Sequence, residues 1–165
     1  MSTATSIRAW AAQALNQPVV PFSYDPGSLG AEDVEIRVEH CGLCHSDLSV
    51  IDGEWGPAAY PVVGGHEVIG TVVALGSQAR GLKLGQRVGL GWMSGSCMAC
   101  APCLSGQPQM CRAGVPTIIG HHGGFAERVR AHWLWVAPIP DGLDPKDAGP
   151  LLCGGVTVFS PFLNF

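Results

Sequence analysis

Cys97, Cys100, Cys103 and Cys111 stand in the pattern C-x2-C-x2-C-x7-C. Thiols this close together repel one another once ionised, and a divalent metal that accepts sulfur relieves the repulsion. Zinc takes four sulfurs tetrahedrally, and sites closed in this way are structural. An ion there would tie down the stretch from Gly95 to Arg112, which has little apolar content to fold by itself. An iron–sulfur cluster is a rival reading, although ferredoxin-type spacing brings the fourth cysteine sooner than it comes here. Four unrelated buried cysteines are a third.

A second set is scattered more widely. Cys44 lies in C-H-S-D, His66 and Glu67 follow Gly64-Gly65, and Cys153 lies in L-L-C-G-G. Taken singly, each has a plain explanation: a lone buried cysteine is ordinarily a small core residue, and a lone histidine a satisfied polar group. Together they make a Cys2His set, a pattern of catalytic zinc with an open fourth position. Four thiolates over-neutralise a divalent ion, whereas two thiolates and a neutral imidazole only balance it. The second set therefore suits Lewis-acid chemistry on an alcohol or water oxygen. Asp47 is placed to orient the His66 ring from behind. Glu67 either approaches the metal from beside His66 or is an ordinary charge at the start of a strand.

These residues need a frame, and the intervening sequence reads as mostly β. Its 23 glycines and 13 prolines are spread along the chain, which suits short strands joined by turns. Asp33 to Glu39 alternates, with Val34, Ile36 and Val38 on one face. Glu67 to Leu75 is β-branched and nearly all apolar, as in a buried strand. Gln86 to Leu90 and Ala126 to Val136 are further strands; Val129, Ala131 and Trp133 share one parity of the last, Arg128, Arg130 and His132 the other. Ser46 to Ile51 reads as one or two helical turns with Ser46 or Asp47 near the cap. Asp144-Pro145-Lys146-Asp147 opens another helix with a capping acid and a proline at its first position. Pro150 and Pro161 then limit or kink the helix beyond that start. No repeat or low-complexity stretch interrupts the chain. The expectation is one domain over residues 1–165, a small twisted barrel with short helices and a metal lobe at residues 95–112.

Composition narrows the function classes. With 47% hydrophobic and 13% charged residues, the chain folds. A net charge of −4 without a basic run argues against nucleic acid as a partner. No apolar stretch approaches the roughly 18 residues of a membrane helix, and the start, MSTATSIRAW, does not read as a leader. The expected compartment is the cytoplasm. Clustered cysteines there bind metal or do chemistry more often than they form disulfides, and an odd count of 7 precludes full pairing.

Read together, the motifs resemble the medium-chain zinc alcohol dehydrogenases, above all the microbial and cinnamyl alcohol dehydrogenases. C-G-L-C-H-S-D at 41–47, Y-P-V-V-G-G-H-E at 60–67, the four cysteines at 97–111, G-G-F-A-E at 123–127 and P-L-L-C-G-G-V-T at 150–157 stand in the family's order. The resemblance implies a GroES-like β-barrel, catalytic zinc on Cys44, His66 and Cys153, and structural zinc on Cys97, Cys100, Cys103 and Cys111. It implies that Ser46 bonds the substrate hydroxyl and begins the proton relay, and that His45 lies near the cofactor pyrophosphate. Trp55 and Trp92 would wall the pocket. His121 and His122 receive no role. The reaction implied is reversible hydride transfer between a primary alcohol and NAD or NADP.

Three departures qualify the resemblance. Many relatives end the relay on a histidine five residues after the first zinc cysteine; Ser49 stands there instead, so the proton must leave by water or another group. The family's G-D-R-V turn reads Gly85-Gln86-Arg87-Val88. The family's G-x-G-x-x-G cofactor loop is missing; Gly89-Leu90-Gly91 has the wrong spacing for it and leads into the cysteine-rich stretch. Two readings stay open. One is the zinc-binding portion of an NAD(P)-linked alcohol dehydrogenase or aldehyde reductase, truncated before a cofactor (Rossmann) domain and turning over alcohols very slowly or not at all as an isolated chain. The other is a free-standing zinc-binding GroES-like module. Either leaves a second copy or a separate cofactor-binding chain as a partner.

Overall fold

The structure is a computed structural model describing residues 6–164. Residues 1–5, part of the segment considered as a leader, lie outside the described residues. The chain opens on a hairpin of β1 (Ile7–Ala12) and β2 (Val19–Tyr24), which the sequence pattern does not reveal. Pro21 inside β2 hides it, since proline is confined to edge strands, and β2 is one. Next come β3 (Asp33–Cys41), α1 (His45–Ile51), β4 (Val68–Leu75), β5 (Arg87–Leu90) and β6 (Met93–Gly95). The cysteine-rich stretch holds α2 (Ala101–Leu104) and a 3-10 turn, Pro108–Met110, before β7 (Val115–Pro116), which pairs with β6. The chain then runs through β8 (Arg128–His132), a 3-10 turn at Trp133–Trp135 and β9 (Val136–Pro138). It closes with α3 (Pro145–Ala148), a 3-10 turn at Gly149–Leu152 and α4 (Gly154–Asn164).

The single strand expected over Ala126–Val136 is in fact two, on opposite edges of a five-stranded antiparallel sheet ordered β8-β3-β4-β5-β9. Laid flat, such edges would stand about 19 Å apart at the usual ~4.8 Å spacing. The three-residue turn between them rises only ~6 Å. The sheet must therefore curl until its edges approach, which makes the twisted half-barrel. Its interior is filled by Val34, Ile36, Val68, Val72, Val88, Leu90, Val129, Ala131 and Val136, all buried. Burying each Val, Ile or Leu side chain contributes roughly 1.5–3 kcal/mol.

The other expected elements form with shifted ends. The strand at 67–75 begins at Val68, and that at 86–90 begins at Arg87. Gln86 closes the turn before β5, its side-chain oxygen accepting from Lys83 N at 2.9 Å, so the lost family carboxylate has a substitute. The helix at 46–51 begins at His45 and is capped by Cys44, not by Ser46 or Asp47. Asp144 caps α3 as expected, with Pro145 at its first position. Pro150 falls in the following 3-10 turn, whereas α4 runs through Pro161. No helix among the described residues is long and apolar enough to cross a membrane.

Candidate metal centres

Cys44, at the end of the loop after β3, precedes α1, and the cap is a reciprocal one. The Cys44 sulfur accepts from Ser46 N at 3.5 Å, and Asp47 Oδ2 accepts from Cys44 N at 3.1 Å. The other oxygen of Asp47, a residue only 1% exposed, accepts from Gly65 N at 2.7 Å and lies 3.0 Å from His66 Nδ1. A carboxylate can only accept there, so Nδ1 carries the proton and Nε2 is left with its lone pair. That Nε2 is 3.2 Å from the Cys153 sulfur, which in turn is 3.8 Å from the Cys44 sulfur.

Cys44, His66, Glu67 and Cys153, drawn from three distant stretches, have their ligand atoms within 4.8 Å of one another. Two sulfurs bound tetrahedrally to one zinc at ~2.3 Å stand about 3.8 Å apart, so the sulfur pair fits a common ion. Glu67 is buried, and its carboxylate fills the space a side chain on residue 42 would need; Gly42 leaves it free. Burial would lower the His66 pKa, but Asp47 and Cys44 outweigh it and hold it above its ordinary value. Burial likewise pushes the Cys44 thiol up, and the Ser46 N–H and hydroxyl, with Cys153 and His66, bring it below its usual range.

The second group is the four-cysteine lobe. Cys97–Cys111 and Cys100–Cys103 are 3.5 Å apart, Cys100–Cys111 3.7 Å and Cys97–Cys103 4.0 Å. These separations also scatter about the value for tetrahedral zinc. The backbone N–H groups of Ala99 and Cys100 draw the Cys97 thiol down to about 6. The Cys103 N–H pulls Cys100 the same way, yet the surrounding thiols push it up to about 12. A divalent cation would relieve the repulsion between sulfurs set this close together. Trp135 Nε1 donates to Ser96 Oγ at 3.3 Å and joins the lobe to the barrel edge.

Other predicted residues take their places around the first group. Ser46 is the second residue of α1 and half-buried, while His45 at its first turn is exposed. Trp92 packs edge-on against His66 with ring centroids 5.0 Å apart, and Trp55 packs against Trp92 at 5.8 Å. Trp55 is 59% exposed, so it lies at the surface rather than in the core. Ser49 is buried and donates to Glu54 Oε2 at 2.7 Å, a contact that sequence reasoning missed. His121 donates from Nδ1 to Thr117 O at 3.1 Å, and His122 stacks on Tyr24 at 4.0 Å; neither joins a metal group. A concavity of about 660 Å³ beside β1 and β2 contains none of the predicted residues.

The chain is similar to known proteins along nearly its full extent. An aldehyde reductase of Synechocystis is 54% identical over 96% of this chain and 47% of its own. A probable cinnamyl alcohol dehydrogenase of Populus deltoides is 41% identical over 100% of this chain and 48% of its own. The chain thus spans about half the length of the curated relatives it matches. The cinnamyl alcohol dehydrogenase of Sorghum bicolor superposes with a TM-score of 0.92 at 37% identity, over 97% of this chain and 48% of that one. The Helicobacter pylori enzyme solved with NADP(H) gives 0.91 at 28%, over 97% and 49%. The family model of the alcohol dehydrogenase GroES-like domain matches residues 30–141, well over half the chain. A curled sheet carrying both cysteine groups in this order, and relatives so similar along nearly its full extent, lead to one conclusion: the chain belongs to the GroES-like domain family of the alcohol dehydrogenases.

Proposed function

We propose that residues 1–165 form the zinc-binding catalytic portion of an enzyme for hydride transfer between a primary alcohol or aldehyde and a nicotinamide dinucleotide. The carrying observation is the convergence of Cys44, His66 and Cys153 to within 4.8 Å, with Nδ1 of His66 already engaged by Asp47. These three residues would hold one zinc ion, and Cys97, Cys100, Cys103 and Cys111 a second. Bound at the first group, zinc supplies Lewis acidity toward an alcohol or aldehyde oxygen.

The chain's own residues do the rest. Asp47 fixes the tautomer and direction of the His66 ring, and Glu67 stands beside the ligand group. Ser46, against Cys44, would hold the substrate hydroxyl and accept its proton at Oγ while passing its own hydroxyl proton on. Ser49 replaces the histidine of the implied relay, and its hydroxyl leads to the Glu54 carboxylate, exposed at the surface. A proton that reaches Ser49 would thus leave through Glu54 without an imidazole. Trp92 and Trp55 offer an aromatic wall that excludes water and suits a flat substrate such as cinnamyl alcohol, the kind named by several relatives. His45, exposed at the start of α1, is available to a dinucleotide phosphate.

Cobalt(II) exchanged into the protein tests the reading, because its visible absorption reports its ligands. Adding cinnamyl alcohol should shift the band of the two-sulfur site and leave the four-sulfur band unchanged. No shift with millimolar alcohol would favour a zinc-binding module without dehydrogenase activity. The isolated 165 residues, mixed with NADPH and aldehyde, should turn over very slowly or not at all; robust reduction would contradict that part.

A further inference from the structure

We propose that Gly89 and Gly91 are positioning residues of the Cys44–His66–Cys153 site, setting where the Cys153 sulfur stands. The inference rests on that group being the metal site proposed above. Cys153 is not anchored by a strand. It follows the 3-10 turn Gly149–Leu152, which lies against the end of β5. A Cβ on residue 91 would come within 2.7 Å of the Leu152 carbonyl oxygen, and one on residue 89 within 2.6 Å of Leu152 Cδ1. Neither glycine has a positive φ. What the positions require is empty space, not backbone freedom. The Gly-Leu-Gly stretch, unsuitable as a dinucleotide loop, thereby acquires a role: it is the floor on which the Cys153 turn is seated.

The floor is the firmer of the two surfaces. Thr117, fully buried, donates from Oγ1 to Gly91 O at 2.7 Å and from its N–H to Trp92 O at 2.7 Å. Leu90 between the glycines is buried in the barrel. The turn is softer: Leu151 is 51% exposed, and Leu152 and Cys153 are half-buried. A methyl group on residue 91 therefore displaces the turn rather than the floor. The contact would have to open from 2.7 Å to the 3.4 Å of ordinary packing, a shift of about 0.7 Å. The carbonyl that moves belongs to the peptide linking Leu152 to Cys153. Zinc ligands hold their distances to within about 0.2 Å. A displacement of this size carries the sulfur away from Cys44 and His66, while the four-cysteine lobe is untouched.

Zinc affinity at each site, measured by chelator competition and assigned with cobalt(II) spectra, tests this without any turnover. G91A should bind zinc at the two-sulfur site about 10–100-fold more weakly, with the four-sulfur site unchanged. G89A clashes with a side chain instead of a carbonyl, so its smaller loss should be restored in the G89A/L152A double variant. L152A should not restore G91A. A general loss of stability would weaken both sites together and would not show this pattern of rescue. Unchanged two-sulfur affinity in G91A, or a G89A deficit that L152A fails to relieve, overturns the proposal; the second comparison decides if G91A folds poorly. Wild-type protein that binds a single zinc is a different failure, removing the site itself and the reading on which the proposal rests.

Discussion

One carboxylate organises the first metal group. Asp47 receives Cys44 N on one oxygen, and Gly65 N with His66 Nδ1 on the other. It thereby joins the N-terminus of α1 to the loop that leads into β4. Asparagine keeps the shape and one acceptor but loses the charge and the second acceptor. D47N should weaken zinc at the two-sulfur site by about 10–100-fold. An affinity equal to wild type in chelator competition would contradict the part assigned to Asp47. The pairing of Asp47 with His66 was legible in the sequence, since a buried ligand histidine needs an acceptor for its other nitrogen. The capping by Cys44 was not, because cysteine is no ordinary cap residue. Nor was the Ser49–Glu54 contact, which depends on how the chain turns after α1.

Among the elements, strands with clean alternation were legible and breaks inside an unbroken pattern were not. The parity of Val129 and Ala131 continues through Trp133, so periodicity alone does not show that β8 ends and β9 begins on the other edge. Glu35 was likewise hidden. It sits on a strand face yet is buried, held by Arg128 at 2.7 Å and Arg130 at 2.8 Å, both from β8. In α4, Gly154, Gly155 and Pro161 all argue against a helix by propensity, and most of its side chains are exposed, so no core-facing pattern announces it. The hairpin β1–β2 docks on the loop before β8 through Phe22, Tyr24 and His122. Burial lowers the pKa of both His121 and His122, although the Thr117 carbonyl and then Asp33 oppose it at His121; Tyr24 and Arg130 line the same cavity. In the unfolded chain these imidazoles titrate near ~6.5. As pH falls through that value the unfolded state binds protons that the folded state resists, so stability is lost on acidification. H122F, which keeps the ring stack, should decline less in melting temperature than wild type between pH 7 and 5.5. Parallel declines would contradict the contribution of His122.

At the scale of the molecule, the two cysteine groups divide the labour. The four-cysteine lobe has little apolar content and, on the proposed reading, would depend on its metal to fold, whereas Cys44 and Cys153 lie beside a barrel that packs its own core. C103S should therefore lose more stability than C44S, by at least ~1 kcal/mol, or about 2–4 °C for a chain of this size. Equal losses in thermal melts would contradict the division. The barrel and the cysteine lobe were legible because glycine spacing, alternation and cysteine spacing are all local signals. The seat of Cys153 on β5 was not, since it joins residues some sixty positions apart. The central claim, that two distinct zinc sites form on this chain, is tested most directly by a native mass spectrum of the purified protein. Two zinc ions per chain are predicted, the one at Cys44, His66 and Cys153 disappearing in C44S. A single zinc that survives in C44S would contradict the account, leaving the four-cysteine lobe as the chain's one metal centre.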